Sequence, residues 1–360
     1  MPIDESAILA LAPERLTNLR HARYGGDDMG VPMGDLPAGD VAGIRELYAA
    51  LSRLLGKLRV ALRIPVGDGA APSGFSSGAL DLGDSSVDDV GPARDVLRRT
   101  AADPTWRSAM KAARALRYPV AEDGGTAEAI TLRRQALHDV RGGALAALAL
   151  TLDLIAITDA STAEVVRAFY LTRDHLKIMR NALEDVDTVA RERDRTARDH
   201  GTRLLFEKWS SAVHRLPGDR SARVEVDSTY EGPVSRRCLE FSALDRVLYN
   251  LMNNAVRFTA DGMVTLYLRE IGANLRFVVV NEIAATQVAK LRKSQGDDLG
   301  GLFLGGFSTG GDGIGLSICG EFVANAYGLP DVSAAVRGRH VGVKVAGEAF
   351  VAWFHWPKGE

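Results

Sequence analysis

Cysteine is scarce in this 360-residue chain: Cys238 and Cys319 are the two present. A disulfide framework or a zinc site built from thiolates cannot be made from that pair. Excess charge is also missing, since 44 Lys plus Arg against 46 Asp plus Glu leave a formal charge of −2. Without a basic surplus there is no electrostatic reason to expect nucleic acid as a partner. No apolar run approaches the ~18 residues a membrane-spanning helix needs. Met1–Pro13 carries Asp4 and Glu5 where a secretory signal would carry Lys or Arg. These absences predict a soluble, cytoplasmic protein without membrane insertion. What is present is 46% hydrophobic residues, too many for a disordered chain. A chain this long usually divides into two or more domains.

The pattern along the chain predicts three of them. Residues 1–125 form a mostly helical region with a docking or regulatory role by position. Its clearest element is a helix from Asp40 to about Leu62, with Ile44, Leu47, Leu51, Leu54, Leu55 and Leu58 at three- and four-residue steps. Short helices follow near Ala93–Thr100 and Pro104–Leu116, while Gly67–Gly91 is rich in Gly, Ser and Asp and reads as a flexible linker. Residues 126–200 are heptad-like. Val165, Phe169, Thr172, Leu176, Met179, Leu183, Val186 and Ala190 alternate four- and three-residue steps, with charges between them. A second stripe, Leu137, Ala144, Leu148, Leu152 and Ile155, precedes a break at Thr158–Thr162, so the two pair as an antiparallel hairpin. Two helices alone leave a seam open. A homodimeric four-helix bundle closes it; packing on the N-terminal helices is the alternative. Residues 201–360 change to mixed helix and strand, with strands at Arg223–Tyr230, Met263–Ile271, Leu275–Ile283, Val341–Ala346 and Ala349–Trp356 and helices at Ser242–Phe258 and Ile314–Tyr327. Helices segregated from antiparallel strands predict an α+β two-layer sandwich.

Three constellations could carry chemistry. On the helix Ser242–Phe258, Leu244, Leu248, Leu251, Ala255 and Phe258 make the buried stripe. Asn250, Asn254 and Arg257 lie at i, i+4 and i+7 on another face, about 100° away. A carboxamide oxygen is a neutral hard ligand suited to a magnesium ion that bridges phosphates, and an arginine one turn on could reach a phosphate oxygen. A solvated helix face is the plain alternative. In Gly296–Gly315, nine of twenty residues are glycine, and the string runs directly into a helix. Backbone N–H groups in such a loop can approach an anion, aided by the helix N-terminus; a floppy surface loop would look the same. Ser308 and Thr309 offer hydroxyls beside it. The third feature is His138-Asp139-Val140-Arg141-Gly142-Gly143. Each glycine costs a helix interior about 1 kcal/mol, so the pair marks a close approach or a helix end. Asp139 could hold the imidazole tautomer or accept its proton.

HDVRGGAL, YNLMNNAVRF and FSTGGDGIGLSI occur in that order, around a heptad helix pair and an α/β segment. With these motifs the chain resembles the sensor histidine kinases of two-component systems, over about residues 130–357. The resemblance implies a dimerisation and phosphotransfer hairpin followed by an ATP-binding domain of the GHKL (Bergerat) type. It makes His138 the phospho-acceptor, with Asp139 beside it, and Asn250 and Asn254 the magnesium ligands. Together with Arg257 these asparagines hold the phosphates of ATP. Leu302–Thr309 looks like the lid box, with Phe307, Ser308 and Thr309, and Gly311, Gly313 and Gly315 match the last glycine box. Implied partners are a second copy of the chain and the receiver domain of a response regulator.

The sequence departs from the family pattern in three places. Where most members end the second hairpin strand with an aspartate that accepts the adenine amino group, Asn281 stands here, without a following glycine. It keeps a carbonyl acceptor and loses charge assistance; kinases resembling the peptide-pheromone receptors share this asparagine. Gly142 occupies the place four after the histidine, where members that dephosphorylate their partner usually have Thr or Asn, which implies little phosphatase activity. The Gly-Thr before the last strand is also missing. Two other functions fit parts of the pattern. One is a phosphotransfer or scaffold protein whose nucleotide domain no longer binds ATP. The other is a conformational-clamp ATPase, which would need a glutamate just before Asn250; Arg246-Val247-Leu248-Tyr249 stand there, with Glu240 far upstream.

Overall fold

The computed structural model describes residues 31–63, 90–119, 125–187, 200–206, 208–209, 213–216, 220–235, 238–296, 298–305 and 315–358. The linker expected at Gly67–Gly91 lies almost wholly outside them. Two compact units result, one holding residues 28–196 and the other residues 197–360.

The first unit is helical. Its elements are α1 (Ala38–Ala61), α2 (Gly91–Ala102), α3 (Pro104–Ala115), α4 (Ala127–Arg141), α5 (Gly143–Ile157) and α6 (Thr162–Ala182). Local chemistry sets their ends. The Asp103 carboxylate accepts from the Thr105 amide at 2.8 Å, with Pro104 at the first helical position of α3. Ser161 and Glu164 cap each other's backbone at the start of α6, a capping box that fixes the turn after α5. The expected break at Thr158–Thr162 is therefore present. Ile44, Leu47, Leu51, Leu54 and Leu58 of α1 are all buried, as their spacing requires. Helix α1 packs on α2, α3 and α6; α2 packs on α5; and α4 and α5 both pack on α6.

The structure alters the expectations for this unit in five places. The first hairpin stripe, Leu137 to Ile155, is not carried by one continuous helix: it breaks at Gly142 into α4 and α5, so the helix end allowed for at the glycine pair is present. The seam of α6, from Val165 through Phe169, Thr172, Leu176 and Met179 to Leu183, is buried inside a single chain, because α1 lies on it. A second copy is thus not needed to close it, and the N-terminal helices take that place. The charges between the seam positions are buried as well. Arg173, Asp174 and Lys177 are 7%, 4% and 7% exposed, so α6 is a central helix covered all round. Such groups stay charged only when paired, and the Arg173 Nε donates to the Asp174 carboxylate at 2.9 Å. Helix α6 also stops at Ala182, where Leu183 turns extended and bridges to Val31, so Val186 lies beyond it; Ala190 falls outside the described residues. Finally, α4 and α5 taken together, Ala129–Ile157, are long and apolar enough by length and composition to cross a membrane, although the break at Gly142 interrupts them. Core helices pass the same test, and 44% of the apolar window is buried within the protein.

The second unit is built on a six-stranded sheet. Its strands are β2 (Val213–Arg215), β3 (Ser221–Ser228), β5 (Met263–Ile271), β6 (Asn274–Glu282), β7 (Val341–Ala346) and β8 (Ala349–Pro357), in the order β2-β3-β5-β6-β8-β7. Strands β3 and β5 run parallel and every other pair in this sheet is antiparallel. A small pair joins β1 (His200–Gly201) to β4 (Pro233–Ser235). Helices α7 (Thr202–Phe206), α8 (Cys238–Phe258), α9 (Ala285–Gln295), α10 (Gly315–Ala326) and α11 (Val332–Arg337) complete it. Helix α8 packs on β5 and β6, and α10 on α8 and β8. The α+β class read from the sequence holds, with the long strands within two residues of their expected bounds. Helices α7, α9 and α11 and strands β1, β2 and β4 were not anticipated; in α9 only Val288 and Leu291 are buried, too few to show a period.

Two buried polar groups brace this unit. Lys208 Nζ donates to both Asp245 oxygens at 2.7 and 2.9 Å and faces the rings of Trp209 and Tyr249. Within the sheet, the fully buried Arg276 donates from Nε to His355 Nε2 at 2.9 Å. Burial first, and the neighbouring guanidinium second, push His355 down to about 3, so it stays neutral and can accept.

Candidate functional site

The candidate residues form two groups, one in each unit. In the second unit, Leu244, Leu248, Leu251 and Ala255 of α8 are buried against the sheet, and that orientation leaves Asn250 and Asn254 half-buried and Arg257 exposed on another face. The helix is anchored in the turn before Asn250. Asp245 holds Lys208, and the Arg246 guanidinium lies 4.9 Å from the Phe322 ring of α10. The Cys319 Sγ of α10 points to the Val247 carbonyl at 3.7 Å, and burial pushes its thiol up to about 12. Cys319 is therefore a packing residue without thiolate character.

Asn250 Nδ2 donates to the Gly315 carbonyl at 3.2 Å. This bond joins the polar face of α8 to the first residue of α10, and so brings together the asparagine helix and the end of the glycine string. A Cβ at Gly315 would sit 3.8 Å from the Asn250 side chain, an ordinary contact, so closeness to Asn250 is not what calls for glycine there. Phe307, Ser308, Thr309, Gly311 and Gly313 lie outside the described residues. The count of nine glycines overstated the anion signal, because Gly296, with φ 71°, is the residue that ends α9. From the expected lid box, Leu302 and Phe303 are buried in a 3-10 turn at Leu299–Phe303, which fixes the base of the segment.

Asn281 is the penultimate residue of β6, 3% exposed, and pairs with Val264 and Phe350 on the neighbouring strands. Its Nδ2 donates to the Glu282 carbonyl at 3.2 Å. The strand passes through Ile283 and Ala284 straight into α9, which is why no glycine turn follows it. Glu240, weighed above as a base for water, is buried and accepts from the Ser235 hydroxyl at 2.9 Å.

In the first unit, His138 occupies the last turn of α4, half-buried, with Nδ1 3.4 Å from the Asp139 carboxylate. Asp139 itself is 6% exposed. A carboxylate at Nδ1 favours the proton there and leaves Nε2 with its lone pair. The glycine after this pair has a steric cause. At Gly142 a Cβ would lie 2.8 Å from the His138 carbonyl oxygen, so the backbone of the break excludes other residues, threonine and asparagine included. The break frees carbonyls that a continuous helix would bond. Arg141 donates to the Leu116 carbonyl at 3.1 Å and its guanidinium lies 4.9 Å from the Tyr118 ring. Val140 faces His175 Nε2 of α6 at 3.0 Å. Sequence reasoning missed His175: it sits beside seam residues and belongs to no motif.

Among the described residues no group of three or more His, Cys, Asp or Glu could hold a metal ion. The asparagine face still fits magnesium as a phosphate-bound ion that keeps most of its waters and takes one or two protein oxygens. Asn254 would supply such an oxygen, with Asn250 beside it.

The family described as histidine kinase-, DNA gyrase B-, and HSP90-like ATPase matches residues 240–358. No curated protein matches the chain. Among solved structures, the catalytic domain of histidine kinase ThkA is 19% identical over 38% of this chain and 80% of that one, with a TM-score of 0.27. The Acinetobacter baumannii histidine kinase AdeS is 14% identical over 61% of this chain and 98% of its own, with a TM-score of 0.26. A histidine kinase from Burkholderia phymatum STM815 is 14% identical over 64% and 99%, with a TM-score of 0.29. With TM-scores this low the family match carries the assignment. It bears out the resemblance to sensor histidine kinases in the segment with the asparagine helix and the glycine box: residues 240–358, a third of the chain, match the histidine kinase-, DNA gyrase B-, and HSP90-like ATPase family.

Proposed function

We propose that the chain is a sensor histidine kinase that autophosphorylates His138 with Mg-ATP and passes the phosphoryl group to an aspartate on a separate response regulator. One observation carries the reading. A domain of this ATPase family, with its asparagine face tied to the head of α10, shares the chain with a half-buried histidine that has a carboxylate at Nδ1. Asn250, Asn254 and Arg257 would orient the phosphates of ATP, with magnesium neutralising their charge, Gly311–Gly315 cradling them and Asn281 at adenine. His138 Nε2 would attack the γ-phosphorus in line. A nitrogen–phosphorus bond forms as the bond to the ADP oxygen breaks, while Asp139 takes a larger share of the Nδ1 proton. The transition state is loose, so positioning and charge neutralisation supply most of the rate.

ATP and receiver domains are cytoplasmic reactants, so the reading places His138 and the ATP-binding domain in the cytoplasm. It also takes the working form as a homodimer. Since α1 fills the seam within one chain, a second copy would meet the hairpin elsewhere; Leu150 and Ile157 of α5, 48% and 80% exposed, offer apolar groups. The domain division at 126 and 200 belongs to the same reading. A second reading, a phosphotransfer scaffold without ATP binding, is favoured by Asn281, which lacks the carboxylate of most kinases and has its amide on Glu282.

Incubation with magnesium and γ-labelled ATP separates the two. Acid-labile, base-stable label, lost in His138→Ala and in Asn254→Ala, is the expected result. No label and no ATP binding would move the assignment to the scaffold.

A further inference from the structure

The Val140 carbonyl lies at the end of α4 beside the break at Gly142, where helix ends call on side chains to bond their last carbonyls, and a buried carbonyl left unbonded is costly. Helix α6 meets this need with one side chain. His175 is fully buried, and its Nε2 lies 3.0 Å from the Val140 oxygen. A carbonyl only accepts, so Nε2 carries the hydrogen and the ring is the neutral Nε2–H tautomer. Burial holds His175 down to about 4, with the bond to Val140 opposing that shift, so the ring stays uncharged at neutral pH. Its Nδ1 has no hydrogen-bond partner. A leucine would fill this place in a helix core without that cost. The donor at Nε2 is the property that a histidine adds.

We infer that His175 is a positioning residue that latches the C-terminal end of α4, and through Val140 fixes the orientation of the adjacent His138–Asp139 pair. The contact spans from the second helix of the hairpin to the helix bearing His138, two residues beyond it. Without the latch the broken backbone gives way to a continuous helix, in which the Val140 carbonyl is bonded internally and the end of α4 is no longer held by α6. The role of the latch in phosphorylation rests on the kinase reading above; the latch itself does not.

The test compares His175→Gln, which keeps an N–H donor of similar reach, with His175→Leu, which keeps only bulk. Three quantities are read in the full chain: hydrogen exchange of the segment 136–146, kcat for labelling of His138, and KM for ATP. The Leu variant is expected to change exchange in 136–146 and to lower kcat about ten- to hundredfold with KM unchanged, the scale of a misplacement of about 1 Å. The Gln variant is expected to restore both. Loss of kcat to the same extent in both variants would show that ring packing is the role, and would overturn the proposal. A Leu variant with wild-type exchange and kcat would overturn it as well. If the wild-type chain takes no label, the kinase reading fails, while the exchange comparison still decides whether His175 holds the break.

Discussion

Gly142→Ala is the sharpest perturbation of the phospho-acceptor segment, because two opposed terms can be sized from the structure. If the break is kept, the new Cβ lies 2.8 Å from the His138 oxygen, an overpacked contact costing roughly 1–3 kcal/mol. If α4 and α5 instead fuse, the helix gains about 1 kcal/mol from replacing an interior glycine by alanine. Fusion loses the bond from His175 to Val140 and leaves a buried donor unsatisfied, which costs about 1–3 kcal/mol. Taking the middle of each range, the fused form costs about 1 kcal/mol and the broken form about 2. The variant is therefore expected to be destabilised by about 1 kcal/mol and to populate the fused form about fivefold over the broken one. Labelling of His138 by γ-labelled ATP should fall by about that factor. Hydrogen exchange in 136–146 should slow, since amides after the break gain helical partners. Adding His175→Leu should then relieve part of that penalty rather than add to it, because the fused form has already lost the bond and leucine removes the unsatisfied donor. Wild-type labelling together with wild-type exchange in Gly142→Ala would refute the reasoning, by showing that small backbone shifts relieve the contact.

The remaining predictions concern the other buried groups. His175 and His355 are held at about 4 and about 3, below the ordinary 6.5. The unfolded chain therefore binds those protons first; stability is full above about pH 6.5 and falls by up to about 1.4 kcal/mol per pH unit for each histidine as pH drops toward 4. Urea midpoints at pH 7 and pH 5 measure this, and equal midpoints would contradict the burial of both rings. Lys208→Ala strands the buried Asp245 carboxylate and should cost about 3–5 kcal/mol, whereas Lys208→Met combined with Asp245→Leu should be close to neutral; thermal melting distinguishes them. Asn250→Ala removes the bond to Gly315 and should lower stability by about 1 kcal/mol. It should also weaken ATP binding about tenfold or more in a titration, and unchanged affinity would remove Asn250 from the site.

Much of the second unit was legible in the sequence because its long elements carry their own periods. The strands of β5, β6, β7 and β8 and the helix α8 were readable from alternation, from a single apolar stripe and from turn residues between them. The asparagine face could be named because three positions one turn apart must share a side of a helix. The short elements could not, since a helix such as α9 with two buried residues shows no period. Glycine was ambiguous for a related reason. The same residue type serves an anion loop, a helix end such as Gly296 and a close backbone approach such as Gly142, and only coordinates separate these uses.

In the first unit the sequence by itself determined where helices form, the turn at Ser161 and the pairing of His138 with an adjacent carboxylate, because each is a local property; the end of α6 at Ala182 was not legible in it. Tertiary structure decided what covers them. A heptad seam demands an apolar partner without saying which, and α1 meets that demand inside the chain. The charges of α6 fall between the seam positions in the sequence, and the structure places Arg173 and Asp174 as a pair in the interior. His175 carried no signal at all in the sequence. Its significance comes from a carbonyl 35 residues away, freed by a break that Gly142 allows, and only the packing of α4 against α6 brings the two together.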